Sequence, residues 1–191
     1  MNKGITYIFL LLVSLLLILG CAKQIEQEEE QYLEGKSDEQ EPSAKRLSTE
    51  VLNTELTDVR TGQTFKISDF KGKPILLESF AVWCPVCTKQ QQHIQKLHQL
   101  LGDSVVSISL DTDPNEDAAK VKEAVEERGF DWHFAVSPRE LTQALIDQFG
   151  VSVVNAPAAP VVLICKDGSA RLLKRGIKSA QDLKGEIEKE C

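Results

Sequence analysis

Trp83-Cys84-Pro85-Val86-Cys87 places two thiols with two residues between them. The pair follows an apolar run, Ile75 to Phe80, and precedes a stretch with helical periodicity, Thr88 to Leu101. Positions three apart on a helix lie on the same side. If Cys84 opens the helix and Cys87 sits one turn in, the two sulfurs can close as a disulfide. The opening turn of a helix carries unpaired N–H groups and the positive end of the dipole. That field favours a thiolate on Cys84 and marks it as the nucleophile. Such a pair between a strand and a helix reads as a redox-active dithiol. Half of a zinc site is the competing use. It needs a second Cys/His pair at ligand spacing, and the sequence has none.

A dithiol that exchanges disulfides needs an accessible thiolate, a resolving thiol and control of protons. Cys87, deeper in the helix, is the resolving thiol. Glu78 is the candidate for the proton, since it interrupts the apolar strand six residues before Cys84. A buried strand is an expensive place for an idle charge, and burial raises a carboxyl pKa toward a useful range. A strand-edge glutamate facing water is the alternative. Trp83 is expected to pack beside the motif and shape the contact surface. His93 and His98, five apart, share a helix face poorly. His133, within Asp131-Trp132-His133-Phe134, could approach the motif through folding. Two thiolates and an imidazole would suit Cu(I), so Cys84, Cys87 and His133 form an alternative copper-binding set.

The elements that must position these residues follow the chain order. At 191 residues the chain holds one domain with extras, and a net charge of −7 argues against nucleic-acid binding. Residues 1–20 have a short basic start and an apolar run from Ile5 to Leu19, the length of a signal-peptide core. Leu19-Gly20-Cys21 resembles a lipobox, which implies cleavage after Gly20 and a lipid on Cys21. An uncleaved anchor is the alternative, and both place the domain outside the cytoplasm, where disulfides persist. Residues 21–48 are rich in Glu, Gln, Lys and Ser with few apolar side chains, a composition that reads as a flexible acidic tether.

The folded domain is expected over residues 49–191. Leu52–Leu56 and Thr64–Ile67 are short strand candidates, followed by a loop at 68–74 and the strand Ile75–Phe80. Val105–Leu110 is the next strand. Asp113-Pro114-Asn115-Glu116 carries the signature of a helix start, with a helix then running to Arg128 and stopping at Gly129. Phe130–Val136 is short and aromatic, and Ser137-Pro138 starts another helix, with Leu141, Leu145 and Phe149 inward. Pro160–Cys165 is a strand, Lys166-Asp167-Gly168 a hairpin turn and Ala170–Lys174 its return. Ser179 caps a last helix with Leu183 and Ile187 on one face. The fold class expected is α/β: a mixed central sheet with helices on both faces and an N-terminal β extension. Cys165 reads as an inert core thiol and Cys191 as incidental. A Cys165–Cys191 bridge and a Cys191-linked dimer are the alternatives.

With these residues in view, the sequence resembles the thioredoxin superfamily, in particular its membrane-tethered thiol-disulfide oxidoreductases of the TlpA/ResA type. The matching segments are Asp69-Phe70-Lys71-Gly72-Lys73-Pro74, then Phe80-Ala81-Val82-Trp83-Cys84-Pro85-Val86-Cys87, and the late strand ending in Lys166-Asp167-Gly168. The insertion at about 113–147 also fits that branch, and the resemblance covers roughly 50–191. It implies a buried acid at Glu78 acting as proton acceptor for the second cysteine. It also implies a cis-proline just before the late strand, which selects Pro160, with Pro157 as the alternative. Trp83, Pro85 and Ala159 would contact the client. Val161 replaces the usual threonine, and Asn155 to Ala159 looks inserted. A strongly oxidising member of the superfamily carries a histidine between its cysteines. Val86 has no donor to offer a thiolate, which favours a reductase. The resemblance further implies protein disulfide clients, apocytochrome c among them, a membrane thiol donor and a monomer without cofactors. An SCO-type copper chaperone and a redox-inactive binding module remain the alternative functions.

Overall fold

A computed structural model describes residues 45–191 of the chain. The expected signal segment, Cys21 and residues 21–44 of the expected tether lie outside the described residues. Among the described residues no helix is long and apolar enough to cross a membrane.

The strand Ile75–Phe80, here β4, has all six residues buried, as its apolar run requires. It pairs in parallel with β5 (Val106–Asp111) and antiparallel with β7 (Val161–Ile164). Outside β5 lies β6 (His133–Val136), also parallel. Outside β7 lies β8 (Ser169–Leu172), joined by the hairpin at 166–168, and then β1 (Lys45–Arg46). The sheet order is β1-β8-β7-β4-β5-β6, and β2 (Leu56–Thr57) with β3 (Thr64–Phe65) makes a separate antiparallel ribbon.

Parallel neighbours need crossover connections. Two of the helices, α2 (Pro85–Leu101) and α3 (Ala118–Arg128), supply them. Ile94 and Leu97 of α2, Val121 and Val125 of α3, and Leu183 and Ile187 of α5 (Ala180–Glu190) pack in one core with Leu76 and Phe80. Val51 of α1 (Thr49–Asn53) and Leu141 and Leu145 of α4 (Arg139–Phe149) pack in a second core with Ile75 and Leu77. Strand side chains alternate between faces, so Glu78 belongs with Leu76 and Phe80 on the α2 side. The mixed sheet covered on both faces is the architecture expected from sequence.

Three local expectations are corrected. Residues 45–47, assigned to the tether, belong to the fold: Lys45 and Arg46 pair with Ala170 and Ser169, and Leu47 is buried. A short polar strand can join an exposed sheet edge through its backbone alone. The strand expected at 52–56 is broken: Leu52 and Asn53 end α1, which Ser48 caps by accepting from the Val51 N–H at 3.2 Å, and the strand begins only at Leu56. The helix expected from Asp113 begins only at Ala118, capped by Asp117. Asp113 spends its carboxylate on the Asn115 N–H and on Trp83, so the segment turns rather than coils. Gly129, in the left-handed region, ends α3 as read from sequence.

Candidate active site

Cys84 is the N-cap of α2 and Pro85 its first residue. The Cys84 Sγ accepts from the Cys87 N–H at 3.2 Å, and the two sulfurs stand 2.6 Å apart, unbridged. Cys87 also donates to the Ala156 carbonyl at 3.1 Å. The accessible sulfur expected at Cys84 is not what the structure shows. Cys84 is 1 % exposed and Cys87 0 %, because capping turns the Cys84 Sγ inward over the helix mouth, where it packs with Ala81 and Ala156. Its neighbours Trp83, 58 % exposed, and Pro85 remain on the surface. Burial pushes the Cys87 thiol well above the ordinary range. The hydrogen bond with Cys84 and the charge of Glu78 add to that rise, against a backbone contact from Ala81.

Glu78 lies under the dithiol's helix, fully buried. Ser109, its register partner on β5, donates to Oε2 at 2.7 Å, and Gln91 of α2 donates to the same oxygen at 3.3 Å. Trp132 Nε1 donates in turn to Ser109 Oγ at 3.0 Å. The other oxygen, Oε1, has no hydrogen-bond partner. Burial raises the Glu78 pKa to about 7, and the bonds from Ser109 and Gln91 and the charge of Lys178 limit that rise. Such a carboxyl takes and returns a proton near neutral pH.

Two short 3-10 turns, Val151–Val154 and Ala156–Ala158, precede Ala159 and Pro160; the second faces the cysteines, while Val153 of the first packs in the other core. Neither Pro157 nor Pro160 follows a cis bond, since the described residues contain none. The reversal into β7 is made instead by Ala159, which adopts φ 46° and ψ 57°. Ala159 is also fully buried, so its side chain is not on the client-facing surface. The following stretch holds this loop: Leu173 N–H to the Val161 carbonyl at 2.8 Å, Gly176 N–H to Ala158 at 2.9 Å, and Lys178 Nζ to Ala159 at 2.6 Å.

On the other side, the acidic segment after β5 clamps the approach to the motif. Glu116 Oε2 accepts from the Val82 N–H at 2.6 Å, Arg128 donates to the Val82 carbonyl at 2.9 Å, and Trp83 Nε1 donates to Asp113 at 2.6 Å. The Trp83 bond holds the Asp113 carboxyl below its usual range. Asp111 is buried behind it and pushed up to about 7 by that burial.

Sequence reasoning missed Gln90, Gln91, Lys178, Ser109 and Glu116. A signal existed for the glutamines. Positions 87, 90, 91, 94 and 97 form one helical stripe, with Ile94 and Leu97 among its apolar members. Gln90 and Gln91 interrupt it while fully buried. His133 is not brought to the cysteines. It pairs with Ile108, level with Leu77, and is held by Asp58 at 3.1 Å against the rings of Phe65 and Phe70. The copper-binding set of Cys84, Cys87 and His133 is therefore not assembled, and no group of three or more His, Cys, Asp or Glu among the described residues could hold a metal ion. A surface cavity of about 460 Å³ opens beside His133 and His98 and is lined by neither cysteine. Cys165 and Cys191, read as an inert thiol and an incidental one, form a disulfide. The chain between them folds back as β8 and α5, which returns Cys191 to the end of β7.

A dithiol capping the first crossover helix, over a buried acid on the central strand of a two-faced sheet, defines a thioredoxin-like redox protein. The chain belongs to the Redoxin family, whose model matches residues 38–185, and it is a ResA-like thiol-disulfide oxidoreductase. It is 30% identical over 145 residues to the thiol-disulfide oxidoreductase ResA of Bacillus cereus, covering 75% of this chain and 73% of that protein. Among solved structures it is similar to the thioredoxin domain of a Bacteroides vulgatus thiol-disulfide oxidoreductase, with TM-score 0.57, 21% identity, and coverage of 77% of this chain and 98% of that one. It is also similar to BsSco, of the Sco family of cytochrome c oxidase assembly proteins, with TM-score 0.60, 17% identity, and coverage of 77% and 94%. At these identities the structural matches speak to the fold.

Proposed function

We propose that the chain reduces disulfides of protein clients outside the cytoplasm, tethered to the membrane through a lipid on Cys21. The Cys84 thiolate attacks one sulfur of the client disulfide, forming a mixed disulfide and releasing the other client sulfur as a thiolate. Cys87 then gives its proton to Glu78 and attacks the Cys84 sulfur. The Cys84–Cys87 bond forms, the mixed disulfide breaks, and the client leaves with two electrons. A membrane thiol donor re-reduces the pair. Because Cys84 is buried, client attack requires its side chain to turn outward beside Trp83 and Pro85, which frame the docking surface. Apocytochrome c, with its paired thiols, is the client class proposed.

The observation that carries this reading is a resolving thiol whose proton is held tightly by burial, on the same side of β4 as a carboxyl that titrates at about 7. The reducing direction is supported by Val86, whose side chain has no hydrogen-bond donor for a thiolate. A dithiol whose reduced form lacks such stabilisation is a better electron donor. The test is insulin reduction by the chain and by Cys84→Ser, together with the potential measured against glutathione. The variant should be inactive, and the potential should lie nearer the about −270 mV of thioredoxin than the about −120 mV of a strong oxidant. A value at the oxidising end refutes the direction.

A further inference from the structure

Lys178 is a buried lysine, 7 % exposed. A buried ammonium is costly unless its donors are taken. Here they go to neutral carbonyls, Ala159 at 2.6 Å and Lys174 at 3.2 Å. The main chain of the same residue is fixed from both sides by Gln90: the Lys178 N–H donates to Gln90 Oε1 at 2.8 Å, and Gln90 Nε2 donates to the Lys178 carbonyl at 3.1 Å. Gln90 sits one turn beyond Cys87, and its neighbour Gln91 holds Glu78. Two adjacent glutamines of α2 therefore hold, from one helix, the Glu78 carboxyl and the main chain of Lys178.

We propose that Lys178 is a positioning residue for the exchange reaction, holding the 156–160 loop over the dithiol through the Ala159 carbonyl and supplying the positive charge against which Glu78 ionises. The proposal rests on the reading of Glu78 as proton acceptor. The same loop carries the Ala156 carbonyl that accepts from Cys87, so the ammonium fastens the loop that holds the thiol's hydrogen-bond partner, while its charge acts on the proton acceptor. The charge acting on Lys178 is that of Glu78, and the groups acting on Glu78 and its thiol neighbour are Lys178, Cys87 and Cys84. Burial lowers Lys178 to about 8 while Glu78 holds it up, and the attraction is mutual.

The experiment follows the Glu78 side-chain carboxyl by carbon-13 NMR against pH in the reduced full chain, with the signal assigned by its loss in Glu78→Gln. Lys178→Met should move the Glu78 midpoint up by a few tenths of a pH unit, and Lys178→Arg should return most of that shift. Lys178→Gln, which removes the charge while keeping a donor for Ala159, serves if the methionine variant does not fold, and should show the same shift. The pH profile for release of a mixed disulfide on Cys84 should move by the same amount in the shifted variant. A folded variant whose Glu78 titrates as in the parent chain overturns the proposal. So does a Glu78 shift that leaves the release profile in place. If Glu78→Gln itself leaves release unchanged, the proton-acceptor reading fails, and the role proposed for Lys178 falls with it even where the Glu78 midpoint moves.

Discussion

Replacing Glu78 by glutamine should stabilise the reduced chain above neutral pH and leave its stability near pH 4 almost unchanged. Burial raises this carboxyl from 4.5 to about 7. At about 1.36 kcal/mol per pH unit, that gap is worth about 3 kcal/mol. The sign follows from proton linkage. The folded chain binds this proton more tightly than the unfolded chain does. The stability tied to Glu78 is therefore fully present below pH 4.5, lost as pH rises through 7, and constant above. Glutamine keeps an oxygen for Ser109 and Gln91 and never ionises, so the difference between the two proteins isolates the ionisation cost. Asp111, also raised to about 7 by burial, titrates in both and cancels. The assay is urea unfolding followed by tryptophan fluorescence across pH 4–8 in excess dithiol. The variant should gain about 3 kcal/mol relative to the parent across that range. A flat difference would mean that Glu78 ionises as freely as in an unfolded chain, and both its burial and its proton role would be refuted.

Cys191→Ala opens a bridge spanning 26 residues of sequence. The loop-entropy relation puts its worth at about 3.5 kcal/mol at 25 °C, so the urea midpoint should fall by about 1–2 M. An unchanged midpoint, under conditions that keep the parent's bridge oxidised, would mean the bridge does not constrain the chain. Gln91→Leu removes an N–H that holds the Glu78 carboxyl down, so the Glu78 midpoint in the same carbon-13 titration should rise, and by at least as much as for Lys178→Met. A fall instead would show that Gln91 presents its oxygen to Glu78.

The elements that position the site were legible because their causes are local. Ile75–Phe80 is a strand by its apolar run and Pro85–Leu101 a helix by its stripe, and the Gly129, Pro138 and Ser179 boundaries came from residues at the boundaries themselves. Glu78 was legible for the opposite reason, as one charge in a run with no room for it. The start signal at Asp113 misled because an N-cap carboxylate and a turn carboxylate are the same residue until a partner is known. Here the partner is Trp83, 30 positions away. The Cys165–Cys191 bridge was one pairing among several for the same reason: nothing in 26 residues of sequence states that α5 ends beside β7.

What escaped was the polar half of the core, and its members are not independent. Glu78, Ser109, Gln90, Gln91 and Lys178 are all buried, and hydrogen bonds join them across elements: β4 to β5 and α2, and α2 to the segment before α5. A buried polar group that loses its partner costs about 1–3 kcal/mol, so each of these residues makes the next one necessary. Once Glu78 is placed under the dithiol helix, α2 must present a donor toward β4, and the positions one turn past Cys87 are the ones that can. Gln91 fills that place. Gln90, beside it, fixes the main chain of Lys178, whose ammonium reaches the loop that accepts from Cys87. The helix that carries the cysteines thus carries the holders of both charges that govern their proton. A substitution in that glutamine pair should therefore be felt at the thiol although neither side chain bonds to a sulfur.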